Sequence, residues 1–463
     1  MRRPNVLLIL ADDLGYGDMS AFNGGLSSTP ALDALLRESL CFSQHYTASP
    51  VCNPSRACLM TGRYPHRTGS IDTLEWWGLE RLSLREITLA DLFRAAGYRT
   101  GLVGKWHLGS FDPRYHPMRR GFEETVCFRG GMHDYYAWRI EFGTTPRRSD
   151  GRYLTDVWTE EAIRFIERHR NEPFFLHLTY NAPHTPLQAP PEEIAPFAHR
   201  TDLTPAVQTL YGMIRRMDAG IGRILEMLER CHLRDQTIVM FTSDNGPQFG
   251  GQPGSPNCLN RFNMGLHGAK GHVYEGGIRV PLLMRWPDGL PRDARRVDAM
   301  VHFADWFPTI CELCHVPIPP DLKLDGVSVA PLLRGEKGMV PTKRCWQWSR
   351  YVPDVRYNAA IRDGEWKLVR PMVRGVGNAP CCNLWLTVAM YAPEYFEQRG
   401  LLSEPKPERD WDPSAPAELY HITQDPNETH NLADQYPDIA AQLSLELDRW
   451  FEEVEAERRT IRE

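Results

Sequence analysis

The chain is 463 residues long and carries 53 Lys and Arg against 59 Asp and Glu, a net charge of −6. This mildly acidic balance lacks the basic footprint of a dedicated nucleic-acid binder, and no run approaches the ~20 apolar residues of a membrane span. The 36 Gly and 37 Pro are scattered without a period, which excludes collagen and low-complexity disorder.

Arg2 and Arg3 precede an apolar run over residues 6–11. Six residues fall short of the roughly 7–15 of a signal-peptide core, and the run ends in Asp12-Asp13 rather than in small residues. Residues 6–10 are therefore expected as a buried strand. As written the chain reads as cytoplasmic, with export requiring a leader upstream. Residues 29–40 show helical spacing, with Thr29 as cap and Pro30 as first helical residue. A helix over 89–96 closes at Gly97 and a strand follows over 99–103. Then come a helix over 155–169, a strand over 174–180, a long amphipathic helix within 203–231 and a strand over 237–242. Alternation of this kind predicts an α/β domain, a largely parallel sheet flanked by helices. The texture changes near residue 338. Short strands are expected over 345–351, 359–362 and 365–370, with Asp363-Gly364 as a hairpin turn. Residues 371–416 are Pro-rich, aromatic and irregular, and 438–457 form an amphipathic helix. The expected division is a catalytic domain over 1–338 and a C-terminal subdomain over 339–463, an antiparallel sheet plus helix.

Polar clusters follow the predicted strands: Asp12-Asp13, Gly104-Lys105-Trp106-His107, Pro183-His184 and Asp244-Asn245. Open α/β sheets bind ligands at the carboxyl ends of their strands, so four clusters at four strand ends point to one site. Adjacent carboxylates repel; Asp12 and Asp13 are either a solvated helix cap or part of a cation site. With Asp244 and Asn245 they form an all-oxygen donor set, suited to Ca²⁺ or Mg²⁺ rather than zinc. Cys52 precedes Pro54-Ser55-Arg56 at the start of an apolar helix, where a helix N-terminus and a guanidinium favour an anionic or polar species. Spacing alone leaves it either a thiolate nucleophile or a buried structural thiol.

The segment Cys52-Asn53-Pro54-Ser55-Arg56, continued by Leu59 and Thr61-Gly62-Arg63, resembles the signature of the formylglycine-dependent type I sulfatases, arylsulfatase-like members of the alkaline phosphatase superfamily. Asp12-Asp13-Leu14-Gly15-Tyr16-Gly17, Gly104-Lys105-Trp106-His107-Leu108-Gly109, Pro183-His184-Thr185-Pro186, Ser243-Asp244-Asn245-Gly246 and Gly268-Ala269-Lys270-Gly271 with Glu275-Gly276-Gly277 are similar to further motifs of that family, in its order. So is Glu418-Leu419-Tyr420 with Asn431-Leu432-Ala433. The resemblance implies a large mixed sheet flanked by helices with a smaller C-terminal antiparallel subdomain. It implies one Ca²⁺ held by Asp12, Asp13, Asp244, Asn245 and residue 52, with Cys52 converted to Cα-formylglycine by a formylglycine-generating enzyme. Arg56, Lys105, His107, His184, Asp244 and Lys270 would complete the catalytic set, with Lys105, His184 and Lys270 binding substrate. One hydroxyl of the hydrated aldehyde would attack sulfur with Asp244 as base or aligner. His184 and Lys270 would protonate the leaving oxygen, and the second hydroxyl, assisted by His107, would release sulfate. The implied partners are a sulfated carbohydrate or a small aryl sulfate, with no nucleic acid and no membrane. A phosphonate monoester or phosphodiester hydrolase of the same superfamily, and an inactive sulfate-ester-binding homologue, are the alternatives.

Three groups are less determined. Cys311-x-x-Cys314 is either a zinc or redox pair or two buried thiols on a helix, and Cys381-Cys382 carries no signal. His45, Trp76, Trp77, His133, Asp134, Tyr135, Tyr136, Trp138 and His267 are either sugar-pocket residues or packing.

Overall fold

The computed structural model describes residues 3–250, 256–290, 295–336, 340–373, 382–407 and 415–463. Ten strands form one mixed sheet: β1 (Asn5–Ala11), β2 (Leu40–Tyr46), β3 (Arg99–Lys105), β4 (Glu124–Phe128), β5 (Arg139–Phe142), β6 (Thr145–Arg148), β7 (Phe174–Thr179), β8 (Thr237–Ser243), β9 (Leu282–Arg285) and β10 (Arg295–His302). Their spatial order is β10-β2-β9-β8-β1-β7-β3-β4-β5-β6. The central five, β8-β1-β7-β3-β4, run parallel. β9 runs antiparallel to both β8 and β2, and β5 and β6 close the far edge as an antiparallel hairpin.

β1 is buried along its whole length, as a near-continuous apolar run requires when helices cover both faces. Its side chains divide by strand periodicity. Val6, Leu8 and Leu10 enter a core shared with the Cys52–Thr61, Leu89–Ala95 and Phe303–Leu313 helices. Leu7, Ile9 and Ala11 face the Pro30–Arg37, Leu154–Arg168 and Pro205–Arg230 helices. The Thr204 side chain accepts from Val207 N and caps the long helix. Asp218 on that helix accepts from Ala31 N at 3.0 Å and Leu32 N at 2.8 Å. A carboxylate thus sits at the positive end of the neighbouring Pro30–Arg37 helix.

A second, antiparallel sheet follows in the order β11 (Lys343–Gln347), β12 (Ala359–Asp363), β13 (Trp366–Arg370), β14 (Glu418–His421). The Pro437–Arg458 helix covers one face through Leu443 and Leu447 against Ile361, Leu368 and Leu419. From the other side Lys367, fully buried, reaches Glu275 at 2.9 Å and Glu428 at 2.8 Å and fastens this sheet to the short Glu275–Ile278 helix that precedes β9. No helix among the described residues is long and apolar enough to cross a membrane.

The expected architecture is present, with local corrections. The first predicted helix ends at Arg37, where Glu38 N turns back to Leu35 O, and Leu40 instead opens β2. Ser43, Gln44 and His45 interrupt the apolar pattern of β2, which hid it as a strand. The strand expected over 345–351 spans Lys343–Gln347. Within 371–416, expected to be irregular, Cys382–Tyr391 and Glu394–Arg399 are helical; residues 374–381 and 408–414 lie outside the described residues. Cys311 and Cys314 are buried free thiols, in keeping with the packing reading. Cys381 and the Cys382 side chain lie outside the described part.

Gly104, near the end of β3, has φ +116, and a Cβ there would stand 1.9 Å from Thr179 O on β7. Gly97 also has positive φ, +83, but opens onto space with nothing within 4 Å. Gly104→Ala is therefore expected to cost more than about 3 kcal/mol, combining backbone strain with a strand clash. Gly97→Ala should cost only about 1 kcal/mol. Urea unfolding midpoints of the two variants check the contrast, and equal losses would contradict it.

Candidate active site

Four neighbouring strands deliver the candidate residues. Asp12 and Asp13 follow β1; Asp244 and Asn245 follow β8, whose Ser243 is in register with Ala11. Lys105 is the last residue of β3, and His184 lies in the loop after β7. Cys52 begins the Cys52–Thr61 helix, all ten residues of which are buried. Gly271 N bonds Pro50 O and Lys270 N bonds Pro247 O, both at 2.9 Å, so the Lys270 loop is tied to the Cys52 turn and to the loop after β8. All ten sequence-derived positions meet in this one region.

The region is built from opposed charges. Lys105 Nζ lies 2.6 Å from Asp12 Oδ2. Arg56 Nε donates to Asp244 Oδ2 at 2.7 Å, and its Nη1 donates to Lys105 O and Thr179 Oγ1. Lys270 Nζ is 2.7 Å from Asp13 Oδ1, which also accepts from Asn245 Nδ2 at 2.8 Å. His184 Nδ1 is turned to Thr185 O at 2.7 Å, leaving Nε2 facing the site, 3.7 Å from Asp13 Oδ2. Ligand atoms of Asp12, Cys52 and Asp244 lie within 4.8 Å of one another, as do those of Asp12, Asp13 and His184. Asp13 and His107 take positive φ, 67° and 55°, a backbone region that non-glycine residues enter at a cost and that clusters at functional sites.

The electrostatics follow from burial and neighbours. Burial opposes the Asp13 charge, but Lys270, His184 and the hydrogen bond from Asn245 together overcome it and hold the carboxyl well below the usual range. Asp244 is pushed up to about 6, by burial and then by the Asp12 charge, despite Arg56. Burial raises the Cys52 thiol, and Lys105 and Lys270 only partly oppose this; an unmodified Cys52 is held as a neutral thiol, against the thiolate option left open by spacing. His184 is lowered to about 3, by burial and then by Lys270. His107 is lowered well below its ordinary value by burial and by Lys105 and Arg56.

A hard divalent cation fits this donor set. Asp12 Oδ1 and Asn245 Oδ1 are buried without a hydrogen-bond partner, which is costly unless something else satisfies them. Three carboxylates and an amide oxygen are the ligand chemistry of Ca²⁺.

Several contributors were not read from the sequence. Glu75, buried in a three-residue helix, lies 3.9 Å from His107 Nε2 and accepts from Gly131 N at 2.6 Å. A Cβ on Gly131 would stand 2.6 Å from His107 Cε1, so only glycine allows this approach. Asn53 Nδ2 bridges Glu80 O and His107 O, and Glu80 is pushed up to about 8 by burial and the Glu75 charge. Isolated acids in an irregular segment carry no sequence signal for such roles. Of the open candidates, Tyr135 donates to Asn181 O and His184 O and so shapes the His184 loop. His45 accepts from Trp306 Nε1 in the core, Trp76 is buried, and Trp77 packs edge-on against Tyr351. Trp138 donates to Arg152 O, His133 packs edge-on against Phe128, Asp134 caps the turn at Tyr136 and Ala137, and His267 stacks on Tyr274.

Comparison with known proteins adds to this geometry. The family model described as Sulfatase matches residues 4–316, and one described as N-sulphoglucosamine sulphohydrolase, C-terminal, matches residues 265–375. The Uncharacterized sulfatase YdeN of Escherichia coli (strain K12) is 32% identical over 74% of this chain and 68% of its own length. The N-acetylgalactosamine-6-sulfatase of Homo sapiens is 33% identical over 71% of this chain and 66% of its own. The crystal structure of Ps i-CgsB in complex with k-i-k-neocarrahexaose superposes with a TM-score of 0.76 at 30% identity, covering 97% of this chain and 93% of that one.

Arg56 is buried and pairs with Asp244 at 2.7 Å and with Asp12 at 3.8 Å. Arg56→Gln is expected to destabilise the protein by about 3–5 kcal/mol, the cost of stranding a buried carboxylate, whereas a surface change such as Arg356→Gln should cost less than about 1 kcal/mol. Thermal unfolding distinguishes the two; equal midpoints would contradict the assignment.

Proposed function

The chain belongs to the sulfatase family of the alkaline phosphatase superfamily, a family of sulfuric ester hydrolases, and we propose that it hydrolyses the sulfate monoester of a sulfated carbohydrate, or of a small aryl sulfate, at residue 52. The observation that carries this reading is Cys52 itself: a buried residue at a helix start, beside the Asp12 and Asp244 carboxylates and within the field of Lys105 and Lys270. The proposal has Cys52 converted to Cα-formylglycine by a formylglycine-generating enzyme; hydrated, that side chain supplies two hydroxyls on one carbon, one to attack sulfur and one to permit release. A Ca²⁺ held by Asp12, Asp13, Asp244, Asn245 and residue 52 would supply positive charge against the sulfuryl oxygens.

The remaining roles belong to the chain's own side chains. Arg56, fixed by Asp244, Lys105 O and Thr179, keeps the Asp244 carboxylate and residue 52 in one orientation. Lys105, fully buried, and Lys270, largely buried, offset the negative charge of a sulfate ester, and fixed charges act most strongly where little water screens them. Asp244, raised towards neutrality by burial and then by Asp12, accepts a proton more readily than an exposed carboxylate. At rest His184 is neutral and Lys270 bears the proton on that side. An arriving anionic ester supplies the negative charge that favours a protonated Nε2 on His184, which then serves the leaving oxygen. His107 is neutral and its ring nitrogens are unpartnered, so it can receive a proton during release of sulfate.

Cys52→Ala removes the nucleophile and leaves the core intact. It should abolish turnover of para-nitrophenyl sulfate, by more than about 10³-fold, with an unchanged unfolding midpoint; wild-type turnover would overturn the reading. Chelation should suppress wild-type activity and Ca²⁺ should restore it, whereas full activity in protein free of metal by elemental analysis would remove the cation from the account. Parallel assays with a phosphonate monoester decide the substrate class, and a higher kcat/KM for the phosphonate would favour the alternative hydrolase.

A further inference from the structure

Glu75 has a second neighbourhood. With Gly130, His133, Arg139 and Glu141 it lines a cleft beside the candidate site, and Gly131 on the same wall packs against the His107 ring. Its outer wall includes Arg139 and Glu141 of β5, the inner strand of the β5–β6 hairpin at the edge of the large sheet. In this hairpin Arg139 pairs with Arg148 and Ile140 with Arg147. Directly opposed residues of an antiparallel pair share a face. Arg139 and Arg148 therefore lie on the face that carries Glu141 and borders the cleft, while Arg147 lies on the other face, its guanidinium 4.1 Å from the Phe142 ring centroid.

Two like charges directly opposed across a strand pair are destabilising, so this pair calls for an offset. Glu141, two residues along on the same face, does not provide one: its carboxylate is turned to Arg129 Nε at 3.1 Å and His116 Nε2 at 3.3 Å. Among the described residues neither Arg139 nor Arg148 has a carboxylate within 4.0 Å. Arg152, a few residues on, is by contrast held by Asp150 and Glu160. Arg139 therefore lines the cleft with free donors, beside an Arg129 already held by Glu141 and Glu397, and Arg148 stands directly opposite it on the same face of the hairpin, just outside the cleft.

We propose that Arg139 and Arg148 bind neighbouring sulfate groups of a polymeric sulfated glycan while one of its esters lies at residue 52. This deepens the sulfatase reading and rests on it. Guanidiniums offer paired donors that match the oxygens of a sulfate ester, and a linear polyanion running out of the site along the cleft presents such groups in series. Charged side chains on an edge strand also discourage pairing with other chains, but that role involves no anion and no preference for one face.

The test measures binding of dextran sulfate to the full-length protein by fluorescence titration, and its competition with para-nitrophenyl sulfate turnover. Arg139→Gln/Arg148→Gln should weaken dextran sulfate binding about tenfold, as two screened charge contacts would, and flatten its dependence on salt. Turnover of para-nitrophenyl sulfate without polymer should be unchanged, and Arg147→Gln, on the opposite face, should bind as the wild type does. Undiminished binding by the double variant, an equal loss in Arg147→Gln, or equal affinity for polyaspartate would each overturn the proposal. Failure of the sulfatase reading shows separately, as wild-type protein that binds dextran sulfate normally but does not turn over para-nitrophenyl sulfate.

Discussion

Three carboxylates buried side by side would not survive without cations. Asp12, Asp13 and Asp244 are each almost wholly removed from water, and in a medium of low polarizability their mutual repulsion is large. The fold answers with Lys105, Lys270 and Arg56, one on each acid at 2.6–2.7 Å. Asp12 Oδ1 and Asn245 Oδ1 remain unsatisfied. That residual demand is what makes the site receptive to a divalent ion and, beyond it, to an anionic ester.

The sheet makes this arrangement possible. Parallel strands end together, so β8, β1, β7 and β3 present their following residues along one edge, and register fixes which face which. The same geometry explains why the Cys52 helix must be buried throughout. It lies between the sheet and the Phe303–Leu313 helix, and its first turn is the part that opens on the acids. The C-terminal sheet is coupled to this edge through Lys367, whose buried ion pairs reach Glu275, just beyond the Lys270 loop. A small subdomain thereby bears on the position of a site residue it does not contain.

Local chemistry made much of this legible in the sequence. β1 and β8 are apolar runs ending in acids, the β12–β13 hairpin announces itself through Asp363-Gly364, and Cys52 with Pro54, Ser55 and Arg56 is a compact motif. What the sequence hid depends on partners far away in the chain. β9 is four residues long and reads as a strand only once β8 and β2 flank it. β14 was visible only as Glu418-Leu419-Tyr420, without a strand pattern. Glu75 acquires meaning from Gly131, 56 residues on, and the opposed arginines of the β5–β6 hairpin become a pair only through register. Contacts of this kind are set by tertiary packing, which no periodicity encodes.

The central claim concerns the chemical state of one side chain. Mass spectrometry of the tryptic peptide spanning residue 52, taken from protein that is turning over a sulfate ester, tests it most directly. The account predicts an aldehyde or its hydrate in place of the thiol, in a fraction that tracks specific activity. A peptide still carrying the Cys52 sulfur in protein of full activity would contradict it.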